Sequence, residues 1–312
     1  MSSELYPLPW QQSLWQNMVA VSQHLHHAFI LVGPEGIGKQ HFAQAYGHYL
    51  LCEHSHQQAC GQCKACHLLA AGTHPDFYLI QPEEKSKVIK IDQIRGLIEE
   101  LNKTAQQGHR RVIILEPAET MNEAAANALL KKLEEPGQGI HFFLMTHSLT
   151  QLPKTIISRC QCIHLPVPNF SQSLHWLQAQ KIANISLEMW AHLLKLTGGA
   201  PVAVCRLIEQ YSAPTLLEIS LQWFVDLSSI AEKRVSPVMC AEKWQAQAIP
   251  FITLWTWWIY DVHQCLMRGP QVELITFMQK LLEVKSYLKQ SVGLNEALLL
   301  EDLLISWAEL KK

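Results

Sequence analysis

A chain of 312 residues exceeds the usual size of one domain, so two or three separate cores are expected. Apolar residues make up 48% and charged residues 17%, which excludes a disordered chain. The formal net charge of −2 and a pI near 6.8 give no bulk attraction to a polyanion, so tight DNA binding by this chain alone is disfavoured, although a local basic patch is still allowed.

The opening MSSELYPLPWQQSLW lacks the basic start and continuous apolar stretch of an export signal, which leads to the expectation of a cytoplasmic protein. The most apolar stretch, Ala248 to Tyr260, contains Pro250 and stops at Asp261, short of the ~20 residues that cross a bilayer. It reads as a buried helix, with no membrane contact expected.

The apolar run Ala28-Phe29-Ile30-Leu31-Val32 predicts a strand that ends in the glycine-rich GPEGIGK and is followed by a helix through HFAQAYGHYLL. Phe77 to Ile80 predicts a second strand, Ile91 to Leu101 a helix, and Val112 to Leu115 a third strand. A helix is expected from about Thr120 to Leu133, with Met121, Ala125, Ala128 and Leu129 on one face, ended by Pro136 and Gly137. Phe142 to Met145 supplies a fourth strand, Leu152-Pro153 opens a short helix, and Cys162 to Leu165 gives a fifth strand. This alternation predicts an α/β domain in which helices flank a parallel sheet. Beyond Pro168 the strand signals vanish. Asn169 to Glu209 reads as a small helical bundle broken at Gly198-Gly199, and the remainder as a larger one whose last helix carries Leu300, Leu303, Leu304 and Trp307 at helical spacing. Trp255, Trp257 and Trp258 read as core in preference to an oligomer contact.

Gly33-Pro34-Glu35-Gly36-Ile37-Gly38-Lys39 matches the phosphate-loop pattern and stands between a strand and a helix, where such a loop belongs. Its glycines let backbone N–H groups converge on phosphate oxygens, and Lys39 adds a positive charge. Gln40 follows, where a serine or threonine hydroxyl should hold Mg²⁺. After the third strand, Glu116-Pro117 keeps one carboxylate of the expected acidic pair, and Pro117 can neither act as a base nor donate a backbone hydrogen bond. The favoured reading is a loop retained as a structural turn, with no productive ATP or Mg²⁺ binding. Nucleotide binding without turnover is the lesser alternative.

Nine cysteines are too odd in number to be all paired, and disulfides are not expected. Cys160, Cys162, Cys205, Cys240 and Cys265 are scattered among apolar neighbours and read as buried thiols. Cys52, Cys60, Cys63 and Cys66 form C-x7-C-x2-C-x2-C, a set of four thiolates that favours a closed tetrahedral Zn²⁺ site, structural in character. His54, His56, His67 or His74 could replace one ligand, and reduced unliganded thiols are the plain alternative. A catalytic zinc is disfavoured because all four positions are filled. A DNA-reading finger has weak support, since Lys64 is the only basic residue between the first and last cysteine.

Asn127 to Pro136 (NALLKKLEEP) followed by Leu152 to Cys160 (LPKTIISRC) resembles the bacterial clamp-loader subunits of the AAA+ class. Gly72-Thr73-His74-Pro75-Asp76 and the closing Gly293-Leu294-Asn295 helix are similar to the delta-prime branch of that family, part of DNA polymerase III, and the resemblance covers essentially the whole chain. It implies three domains: an AAA+ domain over 1–166 with a zinc module at about 52–75, a small helical lid over 167–208, and a helical collar for oligomerisation over 209–312. It also implies a subunit that does not hydrolyse ATP, placed beside gamma/tau and delta subunits in a loader acting on the sliding clamp and primed DNA. Arg159 matches the arginine of the family's Ser-Arg-Cys motif, whose implied role is to reach a neighbour's ATP site; an arginine satisfied by a local carboxylate or helix end is the alternative. Thr146 matches the sensor position for the terminal phosphate, and Pro201 stands where ATPase subunits carry a second sensor arginine, with Arg206 out of register. The competing function classes are an active AAA+ ATPase of gamma/tau type and a zinc-dependent nucleic-acid binder.

Overall fold

The computed structural model describes residues 6–310 apart from 84–85, 104–109, 181, 183–184, 248 and 291–294; of the segments singled out above, residues 1–5 of the opening, 181 and 183–184 of the small bundle, Ala248, Gly293 and Leu294 lie outside the described residues. The chain forms two compact units, Met1–Gln172 and Ser173–Lys312.

The first unit is built on a five-stranded parallel sheet in the order β2-β3-β4-β1-β5, with β1 at Ala28–Val32, β2 at Phe77–Ile80, β3 at Arg111–Leu115, β4 at Ile140–Thr146 and β5 at Gln161–His164. The three inner strands β1, β3 and β4 are buried along their whole length, which is why they read as continuous apolar runs, whereas the edge strands β2 and β5 are partly exposed. Helices α1 (Gln12–Ala20), α2 (Lys39–Leu51), α3 (Lys64–Ala70), α4 (Ile91–Asn102), α5 (Glu123–Glu134) and α6 (Lys154–Ile157) complete the unit, and α7 (Phe170–Gln178) begins at its end.

One apolar cluster gathers Ile30, Ile113 and Leu144 of the sheet with Ile94, Leu97 and Leu101 of α4 and Ala125, Leu129 and Leu133 of α5. An aromatic layer joins the sheet to α1 and α2: Phe29 stacks on Phe143 at 5.5 Å, Tyr46 meets Phe143 edge-on at 5.9 Å, and Trp15 meets Tyr46 edge-on at 5.5 Å. Gly47 lets α2 approach closely, because a Cβ there would lie 2.9 Å from Phe77 Cε2 and 3.0 Å from Val112 Cγ1. The expected helix from Thr120 is divided by the cap at Asn122: a short 3₁₀ turn covers Ala118–Thr120, and Asn122 Oδ1 then accepts from Ala125 N at 2.8 Å to start α5.

The second unit is helical throughout its described residues, with α8 (Leu187–Leu196), α9 (Pro201–Gln210), α10 (Ala213–Ala231), α11 (Pro237–Gln245), α12 (Phe251–Arg268), α13 (Val272–Gln290) and α14 (Glu296–Glu309). A single apolar cluster runs through it from Leu177 to Trp307, and Trp223, Trp244, Trp255, Trp257 and Trp258 are all buried in it. Leu300, Leu303 and Leu304 of α14 are fully buried, as their spacing predicts. Among the described residues, no helix is long and apolar enough to cross a membrane.

Candidate functional site

The phosphate loop joins β1 to α2. Gly36 and Gly38 take φ of 77° and 86°, and a Cβ on Gly38 would fall 2.3 Å from Leu8 Cδ1. That contact comes from a 3₁₀ turn at Pro9–Gln11 that lies against the loop. Gln11 is fully buried; its Nε2 donates to Ile37 O at 3.2 Å and Gly38 O at 2.9 Å, and its Oε1 accepts from Leu8 N at 3.1 Å. Trp10 Nε1 also donates to Ile37 O, at 3.0 Å. The amino-terminal turn therefore fixes the loop from one side, a role that the sequence reading missed; Pro9 at the turn's first position was its only local mark.

Lys39 is 5% exposed, and its ammonium is engaged within the chain. Nζ donates to Gly33 O at 2.7 Å and Pro34 O at 2.8 Å, and lies 3.0 Å from His147 Nδ1. His147 follows the last residue of β4; its backbone N–H donates to Glu119 Oε1 at 3.1 Å, and its Nε2 lies 3.9 Å from the same oxygen. A lysine, an imidazole and a carboxylate thus run in sequence behind the loop. Neither His147 nor Glu119 was singled out in the sequence, because only the sheet order brings the ends of β3 and β4 to the loop. Thr146 is fully buried with its hydroxyl turned inward: Oγ1 donates to Ser148 O at 2.9 Å and accepts from Ser148 N at 3.2 Å. Gln40 stands one residue into α2, and the Glu116–Pro117 peptide is cis.

The four cysteines come together as their spacing predicts. Their sulfurs lie within 4.8 Å of one another, with Cys52 and Cys63 at 3.9 Å and Cys60 and Cys66 at 4.0 Å. A tetrahedron of thiolates about 2.3 Å from a central zinc has edges of about 3.8 Å, so the donor set fits one ion. Backbone N–H groups point at the sulfurs as well: Cys60 N at 3.2 Å from Cys52 Sγ, Cys63 N at 3.4 Å from Cys60 Sγ and Cys66 N at 3.4 Å from Cys63 Sγ. The N–H groups of Gln62 and Cys63 draw the Cys60 thiol down to about 6, whereas burial pushes the Cys52 and Cys66 thiols up. A cation among them would let all four ionise together. Among the histidines considered as substitutes, His54 lies near Cys63 and Glu53, while His74 is buried and its Nδ1 accepts from Asp76 N at 3.1 Å.

Arg159 follows α6 and faces the carboxy-terminal end of α5. Its Nε donates to Glu134 Oε1 at 2.8 Å and its Nη2 to the same oxygen, while Nη1 donates to Thr155 O at 2.8 Å and Ser158 Oγ at 3.1 Å. The side chain is 32% exposed and that of Glu134 49% exposed. Beside them opens a pocket of 430 Å³ lined by His26, His27, Leu133, Glu134, Ser158, Arg159, Cys160 and Gln161. His27 Nε2 lies 2.8 Å from Leu133 O, and burial holds its imidazole below the usual range.

In the second unit, Pro201 is buried at the first position of α9, where its ring suits a helix start.

Comparison with known proteins identifies the family. The family model described as DNA polymerase III, delta subunit, matches residues 10–169, a span that holds the phosphate loop, the cysteine cluster and Arg159. A DNA polymerase III subunit delta' from Pseudomonas aeruginosa is 36% identical over 97% of this chain and 97% of that protein. Its counterpart from Yersinia pestis is 33% identical over 96% of this chain and 94% of that protein. Among solved structures, a DNA polymerase III gamma subunit-related protein from Thermotoga maritima is 18% identical, with 95% of this chain and 98% of that one covered at a TM-score of 0.48. The chain belongs to the family of DNA polymerase III delta' subunits.

Proposed function

We propose that this chain is a non-hydrolysing subunit of the polymerase III clamp loader that presents Arg159 to the ATP site of a neighbouring gamma/tau subunit. The observation that carries the first half is the fate of Lys39. In a working phosphate loop this ammonium meets the phosphates, but here it is taken up by the Gly33 and Pro34 carbonyls and by His147. Gln40 offers an amide where Mg²⁺ needs a hydroxyl, and Pro117 offers no general base, so Gly33, Gly36, Gly38 and Lys39 serve as a turn that buttresses the sheet.

The second half rests on the place of Arg159 at an accessible surface beside a pocket. A guanidinium keeps its charge at any working pH and presents a planar fork of donors, which suits charge spreading over phosphate oxygens as transfer proceeds. Within this reading Cys52, Cys60, Cys63 and Cys66 hold a structural Zn²⁺, residues 167–208 act as a lid, and residues 209–312 form the collar that joins gamma/tau and delta subunits. The sliding clamp and primed DNA are met through the assembled loader, in the cytoplasm. Steady-state ATP turnover by the isolated chain with Mg²⁺ tests the first half directly: none above background is expected, and sustained Mg²⁺-dependent hydrolysis by contaminant-free protein contradicts it.

A further inference from the structure

The carboxylate that meets Arg159 stands where helix physics disfavours it. Glu134 is the last residue of α5, and an acid at a helix carboxy terminus faces the negative end of the macrodipole. Lys131 and Lys132 in the same turn suit that end, so Glu134 contributes nothing to the helix that another residue would not do better. Its one oxygen Oε1 instead accepts from both Nε and Nη2 of Arg159. With Thr155 O and Ser158 Oγ on Nη1, the chain itself occupies most of the fork that a phosphate would need.

We propose that Glu134 is a latch on Arg159, holding the guanidinium against its own subunit until the charge that spreads over the neighbour's transferring phosphoryl group outcompetes it. The inference rests on the arginine-finger reading above and adds to it a residue that sets when the finger is available. Partial exposure makes the exchange feasible: an ion pair open to water is weak, whereas a buried pair could not be given up at small cost. The open pocket beside the pair gives the guanidinium room to swing. A single carboxylate charge competes poorly with the charge that accumulates on a transferring phosphoryl group, but well with an empty or diphosphate-filled site. Glu134 is thus a positioning residue: it acts through Arg159 and never touches the nucleotide.

The test uses loader reconstituted from this chain and its partner subunits, comparing wild type with Glu134→Gln, Glu134→Asp, Arg159→Ala and the Glu134→Gln/Arg159→Ala double variant. ATP turnover is measured with and without clamp and primed DNA. Glu134→Gln is expected to raise kcat without DNA by roughly two- to five-fold, the factor an exposed ion pair commands, with KM for ATP unchanged. Glu134→Asp keeps the carboxylate and should behave as wild type, and the double variant should match Arg159→Ala alone. If Arg159→Ala lowers turnover but Glu134→Gln leaves kcat unchanged, lowers it, or moves only KM, the latch is refuted and the finger stands. If Arg159→Ala changes nothing, the finger reading fails and the latch with it.

Discussion

Replacing Gln11 by alanine probes whether the amino-terminal turn is part of the phosphate loop. The side chain makes three hydrogen bonds, but they are not equal in what their loss exposes. Ile37 O would keep Trp10 Nε1 at 3.0 Å, and Gly38 O would keep Phe42 N at 3.0 Å, so neither acceptor is orphaned. Leu8 N, whose side-chain acceptor is Gln11 Oε1, would lose it in a buried site, at about 1–3 kcal/mol. The space left by the amide in a fully buried position adds a cavity cost, for a total of about 2–4 kcal/mol. In a unit of this size that lowers Tm by roughly 5–15 °C. Gln11→Glu should be worse than Gln11→Ala at neutral pH, because its carboxylate would face the Ile37 and Gly38 carbonyl oxygens. Calorimetry resolves the two units separately if their transitions differ. A fall under about 2 °C for Gln11→Ala, or a milder effect for Gln11→Glu, would refute the reasoning.

In the helical unit, Trp244 Nε1 donates to Asp226 Oδ2 at 2.8 Å whereas the buried Trp255 N–H has no partner among the described residues, so Trp244→Phe should destabilise more than Trp255→Phe in urea titrations. Purified protein should carry one zinc per chain, and because the module's own apolar cluster is only Cys52, Ala59 and Cys66 with Cys63 against it, chelation should open the loop between Cys52 and Cys66 to protease; metal-free protein with a protected loop contradicts this. Burial holds the imidazoles of His27, His141 and His192 below the usual range, so the unfolded chain binds more protons than the folded one just below pH 6.5. Their contribution is complete above that pH and is lost as pH falls toward the folded values. Urea midpoints should therefore drop on acidification through this range, and less steeply for His141→Gln; identical slopes would contradict the assignment.

Much of the sheet unit was legible because inner parallel strands are buried on both faces and read as uninterrupted apolar runs. The β1 reading matches at both ends, whereas β3 gains Arg111 and β4 gains Ile140, His141 and Thr146, because the polar Arg111, His141 and Thr146 interrupt the apolar runs by which those strands are read. Arg111 is nonetheless buried, with its Nε 3.5 Å from Asp76 Oδ1, a pairing that no local pattern announces. The cysteine cluster was legible for a different reason: short spacings leave the four thiols little choice but to meet. His147 and Glu119 were invisible because they reach Lys39 only through strand order, and each is unremarkable in its own segment. Glu134 lay inside the motif that carried the family resemblance, yet its contact with Arg159 spans 25 residues and emerges only once α5 and α6 are packed.

The central claim is that this chain spends no ATP of its own and completes a neighbour's site with Arg159. DNA-stimulated ATP turnover by reconstituted loader carrying Arg159→Ala measures it most directly. The account predicts a complex that still assembles but whose adjoining site loses turnover by about 10³-fold or more. Full turnover in that complex would contradict it.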